Sequence, residues 1–83
     1  MTYDEVLAKL TEILETDFRI PRAKITKEAT FRGNLGMDSL DAMDLIFVLK
    51  KVYKLDARTH EFRDLHSVDN VVAFIVKKLA ATR

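Results

Sequence analysis

The chain has 83 residues and a mass of 9.6 kDa, one domain's worth of polypeptide, with no room for a separate substrate domain or a large enclosed active site. At 48% hydrophobic and 33% charged residues it is too apolar for disorder, and at this length nearly every apolar side chain is needed for the core. Cysteine is absent, which excludes disulfides, thiolate metal sites and a thiol nucleophile of the chain's own. The 14 Lys+Arg against 13 Asp+Glu give a net charge of +1, too weak to argue for or against a polyanionic partner.

The start, Met1-Thr2-Tyr3-Asp4-Glu5, is acidic and has neither the basic head of a secretory signal nor the Arg-rich character of a transit peptide, so a cytoplasmic protein is expected. Val6, Leu7, Leu10, Ile13 and Leu14 recur at helical spacing, and Thr2 with Glu5 makes a capping box, which predicts a first helix over about residues 3 to 16. The two glycines and one proline all fall in the next stretch, Pro21, Gly33 and Gly36. The result is a connection of about 20 residues, where helix connections in bundles usually run about 2 to 8. Phe18, Ile20, Ile25, Phe31 and Leu35 are spaced along it, so it is expected to be an ordered loop pinned across the bundle rather than a tether.

A second helix is predicted from Ser39 to about Tyr53, with Leu40, Met43, Ile46 or Phe47, Leu49 and Tyr53 at three- and four-residue steps. Its run Leu45 to Leu49 is an unbroken apolar stretch of five residues, far below the roughly 20 that span a bilayer. Thr59 to Leu65 reads as one short helical turn with Phe62 and Leu65 facing in. A last helix starts near Ser67 as N-cap, carries Val68, Val71, Val72, Ile75 and Leu79 on one face, and ends among lysines. The fold class expected is all-α, a single domain over residues 1–83: a small four-helix bundle with three main helices, one short helix, and a long ordered loop between the first and second.

The loop ends in Gly33-Asn34-Leu35-Gly36-Met37-Asp38-Ser39-Leu40-Asp41. Gly36 permits a sharp turn, Asp38 can accept from the orphan amides of the first helical turn, and Ser39 then sits at the first helical position. A hydroxyl is presented at the positive end of a helix, where an attached anion gains about 0.3 to 1 kcal/mol. An Asp-Ser pair alone is more often just a cap. The wider run Leu35 to Asp41, followed by a helix with Met43, Asp44, Leu45 and Leu49 and by the same order of elements over most of the chain, resembles the acyl carrier protein family.

The resemblance implies that Ser39 is esterified with 4′-phosphopantetheine, moved from coenzyme A by a separate phosphopantetheinyl transferase with magnesium. The arm's terminal thiol then holds acyl groups as thioesters, so a cysteine-free chain still carries thiol chemistry. It implies a carrier and not an enzyme, probed in turn by acyl transferases, ketosynthases and related enzymes of a dissociated fatty-acid or polyketide-type system, and working as a monomer. No metal ligand set is expected. His60 and His66, six residues apart, are read as surface or partly buried positions with nothing to aim them at Ser39.

In the family the helix after the serine meets partner enzymes through acidic and apolar side chains, which here are Asp38, Leu40, Asp41, Asp44 and Phe47. Leu40, Met43, Phe47 and the run to Leu49 also read as a wide core stripe, but five consecutive apolar residues exceed one helix face, so at least one or two of Leu45, Phe47 and Val48 are expected at the surface or a groove. Met43, Phe47 and Phe62 are candidates for an acyl pocket. The acidic pattern then gives way to Lys50, Lys51 and Lys54. Residues 1–38 hold 6 Lys+Arg against 7 Asp+Glu, and residues 39–83 hold 8 against 6. Acids first and lysines last complement a helix dipole, and the same gradient suits a changed partner code. It therefore suggests a specialised rather than housekeeping carrier. An aminoacyl or peptidyl carrier shares the fold and the serine and stays open. A small helical interaction domain without a prosthetic group is the remote alternative; a nucleic-acid-binding one is disfavoured because Asp41, Asp44 and Asp56 interrupt the basic residues Lys50, Lys51, Lys54 and Arg58.

Overall fold

Thr2 Oγ1 accepts the Glu5 N–H at 3.2 Å and the Glu5 carboxylate accepts the Thr2 N–H at 3.0 Å, so the expected capping box opens the first helix, α1 (Tyr3–Asp17). These and all further contacts come from a computed structural model of the chain, which describes residues 2–81. Helix α2 covers Ser39–Tyr53 and α3 covers Val68–Ala81. The three main helices thus fall where the apolar spacing and caps put them. Ser67 caps α3 as expected, its hydroxyl accepting the Asn70 N–H at 3.2 Å. No helix among the described residues is long and apolar enough to cross a membrane.

Helices α1 and α3 pack directly on each other. Val6, Leu10 and Leu14 of α1 meet Val68, Val72 and Ile75 of α3 in the fully buried centre, with Leu49 of α2 closing it. At one end the Tyr3 hydroxyl donates to the Asp69 carboxylate, and the Lys27 ammonium lies 5.2 Å from the centre of the Tyr3 ring. A loop residue therefore joins the contact between the starts of α1 and α3.

The long connection is ordered as expected. Ile20, Phe31 and Leu35 are buried and Phe18 and Ile25 half-buried, and Ala29 and Met37 join them in the core. The backbone is tied down as well. Ile20 N–H donates to Leu14 O at 3.1 Å, Phe31 N–H to His66 O at 3.0 Å, and Val68 N–H to Ala29 O at 2.9 Å. The last two stitch the loop antiparallel to the segment that leads into α3. Pro21 is followed by a single 3₁₀ turn over Arg22–Lys24 that the sequence pattern did not predict.

The expected short turn is present but ends sooner, and one expected face differs. The short fourth helix is a 3₁₀ turn over Thr59–Phe62. Its Phe62 is buried, while Leu65 beyond it is half-buried. Tight 3₁₀ hydrogen bonding rarely persists beyond a turn, which fits the early stop. The apolar phase of α2 also differs. Leu40 is 76% exposed, Phe47 58% and Met43 39%, so these three are not core. The inward stripe is Leu45 and Leu49, flanked by the half-buried Ala42, Ile46 and Tyr53. A helix that is apolar on more than one face does not reveal its inner face by periodicity, and Phe31, Leu35 and Met37 of the loop already fill space beside it.

Candidate functional site

The junction from loop to α2 is built from short-range bonds. Leu35 N–H donates to Thr30 O at 3.0 Å, Met37 N–H to Phe31 O at 2.7 Å, and the Asn34 side chain accepts the Thr30 N–H at 2.9 Å. Gly36 sits between them at φ +65°, a left-handed conformation that only glycine adopts cheaply. Buried Leu35 and Met37 on either side of Gly36 anchor the turn. The chain then enters α2 with Asp38 extended at φ −92°, ψ −173°.

Asp38 is the N-cap. Its Oδ1 accepts the Asp41 N–H at 2.9 Å, and Asp41 Oδ2 accepts the Asp38 N–H at 3.4 Å. The two carboxylates satisfy two orphan amides of the first turn reciprocally. Ser39 follows as the first helical residue, its side chain exposed. Its hydroxyl is free to leave the surface at the positive end of a 15-residue helix. Arg32 reaches it from the loop, an Nη2–H donating to Ser39 Oγ at 3.0 Å.

Beside Ser39 opens a cavity of about 870 Å³ between α2, the loop and the segment around the Thr59–Phe62 turn. Its floor is apolar: Phe31, Leu45, Ile46, Leu49, Phe62 and Val71 contribute. Its charged or titratable lining residues are Arg32, His60, Arg63 and His66, with no carboxylate among them. The wall that carries Phe62 is clasped to α3. Phe62 and Phe74 meet edge to face with ring centres 5.0 Å apart, Lys78 lies 5.6 Å from the Phe74 ring centre, and its ammonium pairs with Glu61 at 2.8 Å.

The residues singled out in the sequence separate into distinct places. Met43 and Phe62 line the cavity with Ser39, whereas Phe47 is absent from its lining and stands out on the open face of α2. Leu40 and Asp44 are exposed on that same outer side and Asp41 is half-buried. Lys50 is half-buried, Lys51 exposed, and Lys54 forms the left-handed C-cap at φ 51°, its N–H donating to Lys50 O. Both histidines, read as unrelated to Ser39, line the cavity that Ser39 borders. Arg32 was missed altogether. It lies seven residues before Ser39, outside any periodic pattern, and only the turn through Gly36 returns it to the hydroxyl.

The family model described as "Phosphopantetheine attachment site" matches residues 8–75 of the chain. Acyl carrier protein 2 of Ralstonia nicotianae is 32% identical over 81 residues, covering 98% of this chain and all of that protein. An acyl carrier protein of Phytoplasma australiense is 32% identical over 75 residues, covering 90% of this chain and 99% of its own. Among solved structures, an acyl carrier protein from Thermotoga maritima superposes with a TM-score of 0.85 at 25% identity, covering 98% of this chain and 94% of that one.

Proposed function

The chain belongs to the phosphopantetheine-binding acyl carrier protein family, whose prosthetic group is 4′-phosphopantetheine, and on that premise we propose that Ser39 is the residue that bears it. The observation that carries this reading is an exposed hydroxyl at the first position of a capped helix, bordered by an apolar cavity. The residues fit the group. Ser39 is exposed, the helix terminus and Arg32 favour an anion on its oxygen, and the cavity floor suits an alkyl chain.

Loading proceeds on a partner transferase. Ser39 Oγ forms a bond to the pantetheine-side phosphorus of coenzyme A, the phosphoanhydride bond to 3′,5′-ADP breaks, and the hydroxyl proton passes to the transferase. When bound, the group supplies a thiol that holds an acyl chain as a thioester. The chain's own residues then do no chemistry. Asp38 and Asp41 hold the first turn that aims Ser39, and Met43, Phe62 and the cavity floor give apolar cover to the cargo. Asp38, Leu40, Asp41, Asp44 and Phe47 form the face offered to acyl transferases, ketosynthases and related enzymes of a dissociated fatty-acid or polyketide-type pathway in the cytoplasm.

The apo protein, coenzyme A, magnesium and a permissive phosphopantetheinyl transferase test the central point by mass. One phosphopantetheinyl group should be gained, and none in Ser39→Ala. No gain with several transferases refutes the assignment. The carrier is further read as specialised, because Lys50, Lys51 and Lys54 weaken docking on the basic patches that recognise acidic carriers. Loading by a housekeeping malonyl transferase at low salt should be slower than for that enzyme's own carrier, and should rise in the Lys50→Glu, Lys51→Glu, Lys54→Glu triple variant. Equal rates for wild type and the housekeeping carrier would remove the specialised reading.

A further inference from the structure

Arg32 lies outside the core. Its side chain is exposed, and the ion pairs within 4 Å among the described residues are Arg22–Glu15 and Lys78–Glu61, so no carboxylate neutralises it there. It nonetheless sits on a fixed piece of backbone. Phe31 beside it is buried and bonded through its N–H to His66 O and through its O to Met37 N–H. From that base Arg32 spends a charged donor on the neutral oxygen of Ser39 at 3.0 Å. A guanidinium has five donors in a planar fork, and one bond to a hydroxyl leaves the rest open.

An anion on Ser39 Oγ would arrive between opposing charges. The Asp38 and Asp41 carboxylates lie in the same helical turn, already committed to capping each other's amides. Their side of Ser39 repels a phosphate. On the other side stand Arg32 and, on the cavity lining, Arg63. The asymmetry assigns a direction to whatever hangs from the serine.

We propose that Arg32 is a positioning residue for the phosphodiester on Ser39, pairing with its non-bridging oxygens and leaning the base of the arm toward the cavity and away from the acidic face of α2. The proposal rests on Ser39 as the attachment site. The phosphodiester is singly charged and its free oxygens lie two bonds beyond Ser39 Oγ, the atom Arg32 already contacts, so the guanidinium meets them by a rotation of its own side chain. Charge-assisted, forked pairing of this kind is stronger and more directional than the hydroxyl bond it replaces. A partner that draws the arm out must break it.

The test compares holo wild type with holo Arg32→Gln and Arg32→Lys by phosphorus NMR, with apo and holo melting temperatures of each. Wild type should show a phosphorus shift displaced from that of a phosphopantetheinylated serine peptide, and the displacement should be lost in Arg32→Gln, partly kept in Arg32→Lys, and lost in wild type at about 1 M salt, where screening reaches only about 3 Å. The gain in melting temperature from apo to holo should be smaller in Arg32→Gln than in wild type. Identical phosphorus shifts and identical gains in wild type and Arg32→Gln overturn the proposal. Failure of wild type to take up phosphopantetheine overturns instead the assignment of Ser39, so the two readings fail separately.

Discussion

Replacing Asp38 by alanine tests whether the geometry at Ser39 depends on the cap. The substitution removes the 2.9 Å bond from the Asp41 N–H and leaves that first-turn amide without a side-chain acceptor. Loss of a side-chain N-cap costs about 1 kcal/mol, within a range of about 0.5 to 2. Loss of its charge at the positive helix end adds about 0.3 to 1 kcal/mol, partly offset because the nearby Asp41 carboxylate repels Asp38. The net expectation is about 1 to 1.5 kcal/mol. In a domain of this size about 1 kcal/mol moves Tm by roughly 4 to 8 °C, so Asp38→Ala should melt about 4 to 12 °C below wild type by circular dichroism. Asp38→Asn keeps the acceptor and should lose only the charge contribution, a few degrees. If Asp38→Asn falls as far as Asp38→Ala, or if Asp38→Ala melts like wild type, the cap does not organise this turn and the argument for how Ser39 is aimed fails with it.

Two further predictions follow from burial and from an ionisable contact. Leu10→Ala should cost about 2 to 5 kcal/mol in urea unfolding because Leu10 is fully buried, whereas Leu40→Ala, at a site 76% exposed, should stay within about 0.5 kcal/mol; similar losses for both would mean that α2 is turned the wrong way. The Tyr3 hydroxyl is pushed up to about 12 from its ordinary 10, first by its hydrogen bond to Asp69 and then by burial and by the charge of the same carboxylate. A folded value above the unfolded one means that stability is fully present below pH 10 and is lost as pH rises toward 12. Tyr3→Phe should lack that alkaline component, read as a flatter unfolding midpoint between pH 10 and 12; Tyr53, whose phenol is raised by burial, remains in both proteins. Parallel curves would show that the Tyr3–Asp69 contact does not couple to folding.

Element boundaries were legible because they are local chemistry. Thr2 with Glu5, Asp38 and Ser67 each announce a helix start through a side chain that satisfies an amide three residues on. The order of the long loop was legible too, since Ile20, Phe31 and Leu35 would otherwise spend apolar area on water. What escaped was relational. The inner face of α2 depends on what packs against it, and Leu40, Met43 and Phe47 satisfy the same spacing as the stripe of Leu45 and Leu49. Arg32 and the two histidines reach the rim of the cavity on turns and irregular backbone, where residue spacing carries no facing rule. The polar half of the candidate site is therefore the half that sequence periodicity could not assemble.

The mixed charge along α2 divides once its geometry is known. Asp38 and Asp41 are accounted for by capping, and Lys50, Lys51 and Lys54 stand in the last turn and at the C-cap, where cations complement the dipole. These five residues would be expected even in a helix that met no partner. Asp44 is different. It lies beyond the first turn, exposed, in neither a cap nor an ion pair within 4 Å among the described residues. Leu40 and Phe47, four residues before it and three after, share its face and are exposed as well. An acid between two outward apolar side chains does nothing for the core or for the helix ends. Folding thus explains both ends of α2 and its inner stripe, and leaves Leu40, Asp44 and Phe47 as the exposed part of the helix that neither caps nor core account for.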